Sequence, residues 1–398
     1  MKKAIVLAIV VLVACAATAA ALAKPAAKTS TSASQAISCN STMKIAFVTP
    51  LTGGAAFLGN EQLAWSKYAI KTLPGKWGLK VKLVTGDTPA EAGPSVGQTL
   101  AQKFVADKSV VAIEGPSFSG TVASTSQIYA DAGLVHVSPS ATRTSLTKSV
   151  DGKPKEATPS FFRVVPDDGI QGPTDGRFMV DKLKVKKVVV FDFQEPYSLG
   201  LGGQVEEYLK SKGVSTVHLS VSNTVTDFSS FVTKVPSDAD IVFFPTQKPE
   251  DAQTFAQQLV EQGKKAKVFG GDGSNGPGKF KVAGSYVSNF AAPISLFPYN
   301  KAIIAGWRKD NNNAEVGSFG PPSYGAIQVI LDSIHRACIA QKGKFERRDL
   351  VKYVKRTRIK NWITGGNFRF STKTNDPLNG KFYLFQIQSN GDYKLLTS

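Results

Sequence analysis

The sequence predicts an α/β protein of two doubly wound parallel-sheet lobes joined by a hinge of several strands. Short apolar runs at 45–48, 81–84, 110–113 and 134–137 alternate with stretches of helical periodicity. Near-continuous apolar runs mark strands buried on both faces, as in a parallel sheet covered by helices. The alternation halts at Arg163-Val164-Val165-Pro166 and restarts with runs at 188–191, 217–221, 241–244 and 268–270. A length of 398 residues exceeds one ordinary core and suits two.

The chain opens with Lys2-Lys3, an apolar stretch over residues 4–13 and then small residues, the layout of an export signal over 1–23. Ala21-Leu22-Ala23 offers cleavage before Lys24, whereas Leu12-Val13-Ala14-Cys15 resembles a bacterial lipobox in which Cys15 takes a lipid; both readings stay open. The charge-free stretch ends at Ala23, and small Ala dominates its second half, which argues against a membrane anchor. Residues 24–42, rich in Ala, Ser and Thr, predict a flexible tether. Export argues against nucleic acid as a partner, so the formal charge of +18 is read as affinity for an anionic envelope. The basic run at 342–360 is broken by Glu346 and Asp349 and reads as a solvated helix face.

The first lobe is expected over 43–166. Its strand at 45–48 runs into a loop at 50–57, and a helix follows from about 61 to 73. The strand at 81–84 precedes a helix on which Val96, Leu100 and Phe104 share a face. The strand at 110–113 meets Gly115-Pro116-Ser117, and Ser119 stands as N-cap of the next helix. The free N–H groups and dipole of such a helix start suit a carboxylate. The strand at 134–137 ends in a second hydroxyl-rich loop, Ser138-Pro139-Ser140-Ala141-Thr142. Both loops lie at carboxyl ends of parallel strands, where open sheets bind ligands.

The second lobe repeats the pattern over 167–291. A helix opens at Gln171-Gly172-Pro173 with the proline near its first position. Ala252, Phe255, Ala256 and Leu259 give a later helix its buried face, and Val268-Phe269-Gly270-Gly271-Asp272 runs from strand into loop. A connecting strand at 287–292, helices at 299–308, 324–339 and 349–354, and a hairpin turning at Asn390-Gly391 complete both lobes. Residues 292–372 go to the first lobe and 373–398 to the second.

Catalysis finds little support. His136, His218 and His335 stand at no metal-binding spacing. Ser119 occupies the second Gly position of a nucleophile elbow around Ser117, which leaves a secreted serine hydrolase as the enzyme alternative. Gly271-Asp272-Gly273-Ser274-Asn275-Gly276 fits G-x-G-x-x-G, but Pro277-Gly278 follows and no acid occurs before Asp310, so no cofactor is expected. Asp272, at a strand's carboxyl end, can pair with a ligand ammonium. Cys39 and Cys338 form an even pair in an oxidising compartment and predict a disulfide.

Together, the LTGGAAFLGN loop, SFSGTVASTSQIYADAGLVHVSPSAT, QGPT, EPYSLGL and FGGDG resemble the bacterial periplasmic binding proteins of the leucine/isoleucine/valine-binding type, solute receptors of ABC importers. The resemblance runs from Lys44 to the C-terminus and implies a type I, Venus-flytrap architecture. It implies that Ser119 and Thr142 hold a ligand carboxylate, that the Ser140 carbonyl and Asp272 take its ammonium, and that Tyr197 lines the cleft. Departures fall in the side-chain pocket: Leu58 where an aromatic residue is common, Gln247 where amino-acid binders often have Tyr, and Asp272 where Glu is more usual. Phe57 and Phe118 add bulk there. The implied protein is a monomeric, non-enzymatic receptor, periplasmic or on the outer face of the cytoplasmic membrane. It would deliver a small amino acid or related carboxylate to a permease and its ATPase. A ligand-sensing module of a signalling receptor would share this architecture.

Overall fold

The computed structural model describes residues 36–397, so the expected leader, its two candidate cleavage sites and Cys15 lie outside the described residues. The chain joins the fold at β1 (Ile37–Ser38), five residues before the expected end of the tether. Two contacts hold it there: β1 pairs antiparallel with β12 (Lys344–Phe345), and Cys39 is bonded to Cys338.

The first lobe follows from β2 (Met43–Thr49), α1 (Ala56–Thr72), β3 (Val81–Asp87), α2 (Pro94–Ala106), β4 (Val110–Glu114), α3 (Ser119–Asp131), β5 (Val135–Ser138) and β6 (Phe161–Arg163). The strands form one sheet in the order β3-β2-β4-β5-β6, parallel throughout. Alternate residues of a strand face opposite layers. Ile45, Val135 and Val137 therefore pack with Trp65 of α1, while Ala46, Val48 and Ile113 pack with Phe104 of α2 and Tyr129 of α3. Helix α1 starts earlier than the sequence suggests. Gly53, at φ +78°, turns the chain so that its carbonyl accepts the Ala56 N–H at once, which puts Phe57 and Leu58 on the helix.

The second lobe is built from α4 (Asp168–Asp181), β7 (Lys187–Asp192), α5 (Pro196–Ser211), β8 (Ser215–Ser220), α6 (Ser229–Val232), β9 (Ile241–Phe243), α7 (Pro249–Glu261), β10 (Lys267–Gly270) and β11 (Tyr286–Asn289). Helix α4 begins before Gln171 because Asp167 caps it, accepting the Gly169 N–H at 2.8 Å; Pro173 falls inside the helix, not at its start. Strand β11, expected as a connection, is a full member of the sheet beside β10.

The chain then returns to the first lobe. Helices α8 (Lys301–Asp310), α9 (Gly320–Ala340) and α10 (Asp349–Lys355) bring Trp307, Ile330 and Leu350 into the cluster around Ile45. After a small ladder of β13 (Arg358–Ile359) and β14 (Phe368–Arg369), β15 (Tyr383–Ile387) and β16 (Tyr393–Thr397) rejoin the second sheet. Its order is β16-β15-β11-β10-β9-β7-β8. Both final strands pair antiparallel, so this edge departs from an all-parallel sheet. A hairpin can extend an edge without a crossover helix. Among the described residues no helix is long and apolar enough to cross a membrane.

Candidate functional site

Neighbouring strands β4 and β5 bring their loops together. Ser117 Oγ lies within hydrogen-bond distance of Gln62 Oε1 (2.7 Å) and Thr49 Oγ1 (2.9 Å). Ser140 Oγ donates to the Ser117 carbonyl (2.9 Å) and accepts Gln62 Nε2 (3.0 Å), while Ser138 Oγ donates to the Pro116 carbonyl (2.6 Å). These bonds brace the loops from within the lobe. Ser119 is not the N-cap: Phe118 takes that place in an extended conformation, and Ser119 is the first helical residue. Its Oγ accepts the Arg143 N–H at 3.2 Å, which leaves the hydroxyl hydrogen available to a ligand oxygen. Thr142 is fully buried and its hydroxyl has no partner.

On the second lobe, Asp272 opens a turn directly after β10 and is buried. Tyr197, near the start of α5, donates its hydroxyl to Asp272 Oδ1 (2.8 Å) and accepts the Gly273 N–H (3.1 Å). Glu195 caps α5 by accepting the amides of Tyr197 (2.9 Å) and Ser198 (2.6 Å), which fixes where Tyr197 starts. Close packing dictates glycine at 273: a Cβ there would lie 2.7 Å from the Thr246 carbonyl and 3.1 Å from Gln247 Cα. Gln247 thus abuts the Asp272 turn through its backbone, and it lines a small gap between the lobes with Glu91, Asn223 and Lys248.

Helix α4 contributes residues that the sequence reading missed. The Asp168 N–H donates to the Thr142 carbonyl at 2.8 Å, joining this helix to the second hydroxyl loop. Asp168 is fully buried with neither carboxyl oxygen partnered. Gln171 Nε2 donates to Ser288 Oγ, and Ser288 Oγ to Asp175 Oδ2, both at 2.9 Å; Gln171 Oε1 and Asp175 Oδ1 are unpartnered. The available signal was a polar stripe at i, i+3 and i+7 on a helix that also carries Phe178 and Met179 in a core.

These carboxyls share one electrostatic environment. Burial pushes Asp272 up to about 6, and the Tyr197 hydrogen bond partly opposes that. Burial raises Asp168 and Asp175 well above the usual carboxylate range and the nearby Asp272 charge raises both further, partly opposed by the hydroxyls of Thr142 beside Asp168 and Ser288 beside Asp175. Arg163 is committed elsewhere, donating Nε to Asp376 at 2.6 Å. The arrangement is rich in acceptors and short of positive charge. One wall is apolar: Phe57 and Phe118 join Leu58, Phe290, Phe319 and Phe382, with Phe319 edge-on to Phe57 (5.8 Å) and to Phe290 (5.6 Å). Cross-lobe contacts close over it, including Lys279 above the Phe57 ring (5.8 Å) and Ser318 Oγ to Asn275 Oδ1 (3.3 Å).

Neither Ser117 nor Ser119 is bonded to a histidine; His136 is buried in the first lobe against Ser126 Oγ (2.9 Å), and burial lowers its pKa to about 3. Among the described residues no group of three His, Cys, Asp or Glu is placed to hold a metal.

The sequence profile of the periplasmic binding protein family matches residues 42–392. An amino acid binding protein of Pseudomonas aeruginosa is 27% identical over 307 residues, covering 72% of this chain and 77% of that protein. Among solved structures, a leucine binding protein of Thermotoga maritima superposes with a TM-score of 0.78 at 22% identity, covering 89% of this chain and 98% of its own. A solute binding protein of R. palustris in complex with benzoate gives a TM-score of 0.74 at 17% identity, covering 89% and 96%. The match over most of the sequence and the shared α/β architecture give one conclusion: the chain belongs to the periplasmic binding protein family.

Proposed function

We propose that the protein is an exported, monomeric solute receptor of an ABC importer, not an enzyme, that encloses a small amino acid between its lobes and passes it to the permease and its ATPase. The observation that carries this reading is Asp168, buried with neither carboxyl oxygen partnered, beside the free hydroxyl of Thr142 and the buried, Tyr197-bonded carboxyl of Asp272. Buried carboxyls without a cation are costly, and a ligand ammonium relieves that cost. Ser119 and Thr142 hold the carboxylate, Asp272 and the Ser140 carbonyl take the ammonium, and Tyr197 orients Asp272. Phe57, Phe118 and Gln247 border the side chain. The ligand touches both lobes only when they are together, so it stabilises the closed form by that difference in contacts. The names of the Pseudomonas and Thermotoga relatives support an amino acid.

A plain aromatic carboxylate is the second reading, favoured by the phenylalanine wall and by the benzoate-bound neighbour. A thermal-shift screen with leucine, isoleucine, valine, phenylalanine and benzoate separates them, since a bound ligand raises the melting temperature by mass action. An amino acid that stabilises the wild type but not Asp272→Asn supports the first reading. Stabilisation by benzoate alone supports the second, and no response to any of these ligands rejects both.

A further inference from the structure

The basic run at 342–360 does not behave as a uniform solvated face. Arg347 is buried and donates to the carbonyls of Val105 and Asp107, while Arg348, the N-cap of α10, and Lys352 and Lys355 within it follow at i, i+4 and i+7 and share one side. That side lines a cavity of about 490 Å³, closed by residues 146–162 and 373–375, to which Lys155 and Lys373 add their charges. Five cations line the cavity, and no carboxylate does. The floor is apolar, with Phe161, Phe162 and Val351, which strengthens attraction for an anion relative to open water.

The charges are largely uncompensated. Lys355 is positioned by neutral acceptors, the Thr374 carbonyl (2.8 Å) and Asn375 Oδ1 (2.6 Å). Burial and the nearby Lys155 charge lower the Lys355 pKa, with the Asp376 charge partly opposing them, so like charges are held together there. Outside the wall, Glu346 contacts Arg348 (3.4 Å) and Asp349 contacts Lys352 (3.3 Å), pairs whose cations are exposed to solvent and whose worth is small. Asp376 is occupied by Arg163. Lys155, Lys355 and Lys373 have no carboxylate partner among the described residues. None of these residues belongs to the cleft between the lobes.

We infer that this cavity binds a multiply charged phosphoryl group, either a soluble phosphate or the headgroup of an anionic lipid. Its volume suits such a group.

The test uses the full chain with tripolyphosphate in calorimetry, and co-sedimentation with phosphatidylcholine vesicles with and without phosphatidylglycerol. The pocket variant is Lys155→Gln/Lys352→Gln/Lys373→Gln, and all three residues are exposed. Its control, Lys76→Gln/Lys80→Gln/Lys82→Gln, loses the same charge from exposed positions elsewhere. Saturable tripolyphosphate binding by the wild type is expected, weakened by about tenfold or more in the pocket variant and little in the control. Vesicle binding lost selectively in the pocket variant identifies a headgroup; vesicle binding equal in all three, with tripolyphosphate binding lost only in the pocket variant, identifies a soluble phosphate. All proteins carry the same N-terminus, so whatever it adds to membrane binding cancels. Absence of saturable binding to either probe, or equal loss in pocket variant and control, overturns the inference. Unchanged melting temperature and unchanged response to cleft ligands show that the variants are folded; if the triple variant melts early, Lys373→Gln alone carries the comparison.

Discussion

Tyr197 gives its hydroxyl hydrogen to Asp272 Oδ1 at 2.8 Å and takes the Gly273 amide at 3.1 Å. One phenol thus steadies a buried carboxyl and closes the turn that presents it. Tyr197→Phe should raise the Asp272 pKa further and weaken amino-acid binding by about 1–3 kcal/mol, the cost of leaving a buried acceptor unsatisfied. Calorimetry reads this directly, and a variant that binds as tightly as the wild type removes Tyr197 from the site.

Removing the charge itself costs more. Asp272→Asn should weaken an amino acid by about 2–5 kcal/mol and leave a plain carboxylate nearly unaffected. Thr142→Val should weaken both ligand types, because each presents a carboxylate to the same hydroxyl. Equal losses for both ligands in Asp272→Asn would contradict the assignment of that residue to the ammonium.

Affinity should also depend on pH. Burial pushes the Asp272 carboxyl up from 3.8 to about 6. A raised carboxyl holds its proton longer when folded, so this residue's contribution to stability falls as pH rises through that window. An ammonium binds the ionised form, so affinity should decline as pH drops below about 6 and level off above it. Titrations across that range should lose this dependence in Asp272→Asn. A flat profile in the wild type would rule the mechanism out.

A second buried carboxyl makes a prediction independent of any ligand. Glu114 accepts from Ser66 Oγ (2.7 Å) and from Ser323, its other oxygen has no partner, and burial raises its pKa to about 8. Stability should therefore fall as pH rises from 4.5 through about 8. Glu114→Gln keeps an amide that can bond both serines and escapes this loss. Its melting temperature relative to wild type should climb across the same interval; a constant difference would mean Glu114 does not titrate there.

The Cys39–Cys338 bond joins positions 299 residues apart. Closing so long a loop restricts the unfolded chain, and reduction should cost about 2–5 kcal/mol in denaturant unfolding. Cys39→Ser should reproduce the reduced protein, whose fold is otherwise held by its own core. No change on reduction would show that the bridge adds nothing to stability.

The strands were legible because burial on both faces leaves an unmistakable apolar run, as at Val110–Glu114 and Lys187–Asp192. Helix starts were less so. Ser119 has the composition of a cap, yet the extended backbone falls at Phe118, a residue without a capping side chain. The start of α1 depended on a left-handed glycine at 53, which composition alone does not reveal. In the site, Asp272 and the two hydroxyl loops were visible because they end strands. Asp168, Gln171 and Asp175 were hidden: acids at a helix start look like ordinary caps until tertiary packing buries them. The second sheet's antiparallel edge was equally invisible, because pairing partners such as Tyr286 and Gln386 lie 100 residues apart along the chain.

The return of the final hairpin to the second sheet bears on how such a protein is made. Strands β15 and β16 complete a layer whose other strands are translated long before, with α8, α9 and α10 produced in between for the opposite lobe. The second sheet therefore cannot be completed until residues 383–397 have been made. Loss of residues 383–397 would expose the flank of β11 in a sheet begun about two hundred residues earlier, so this late segment guards the solubility of the lobe before it.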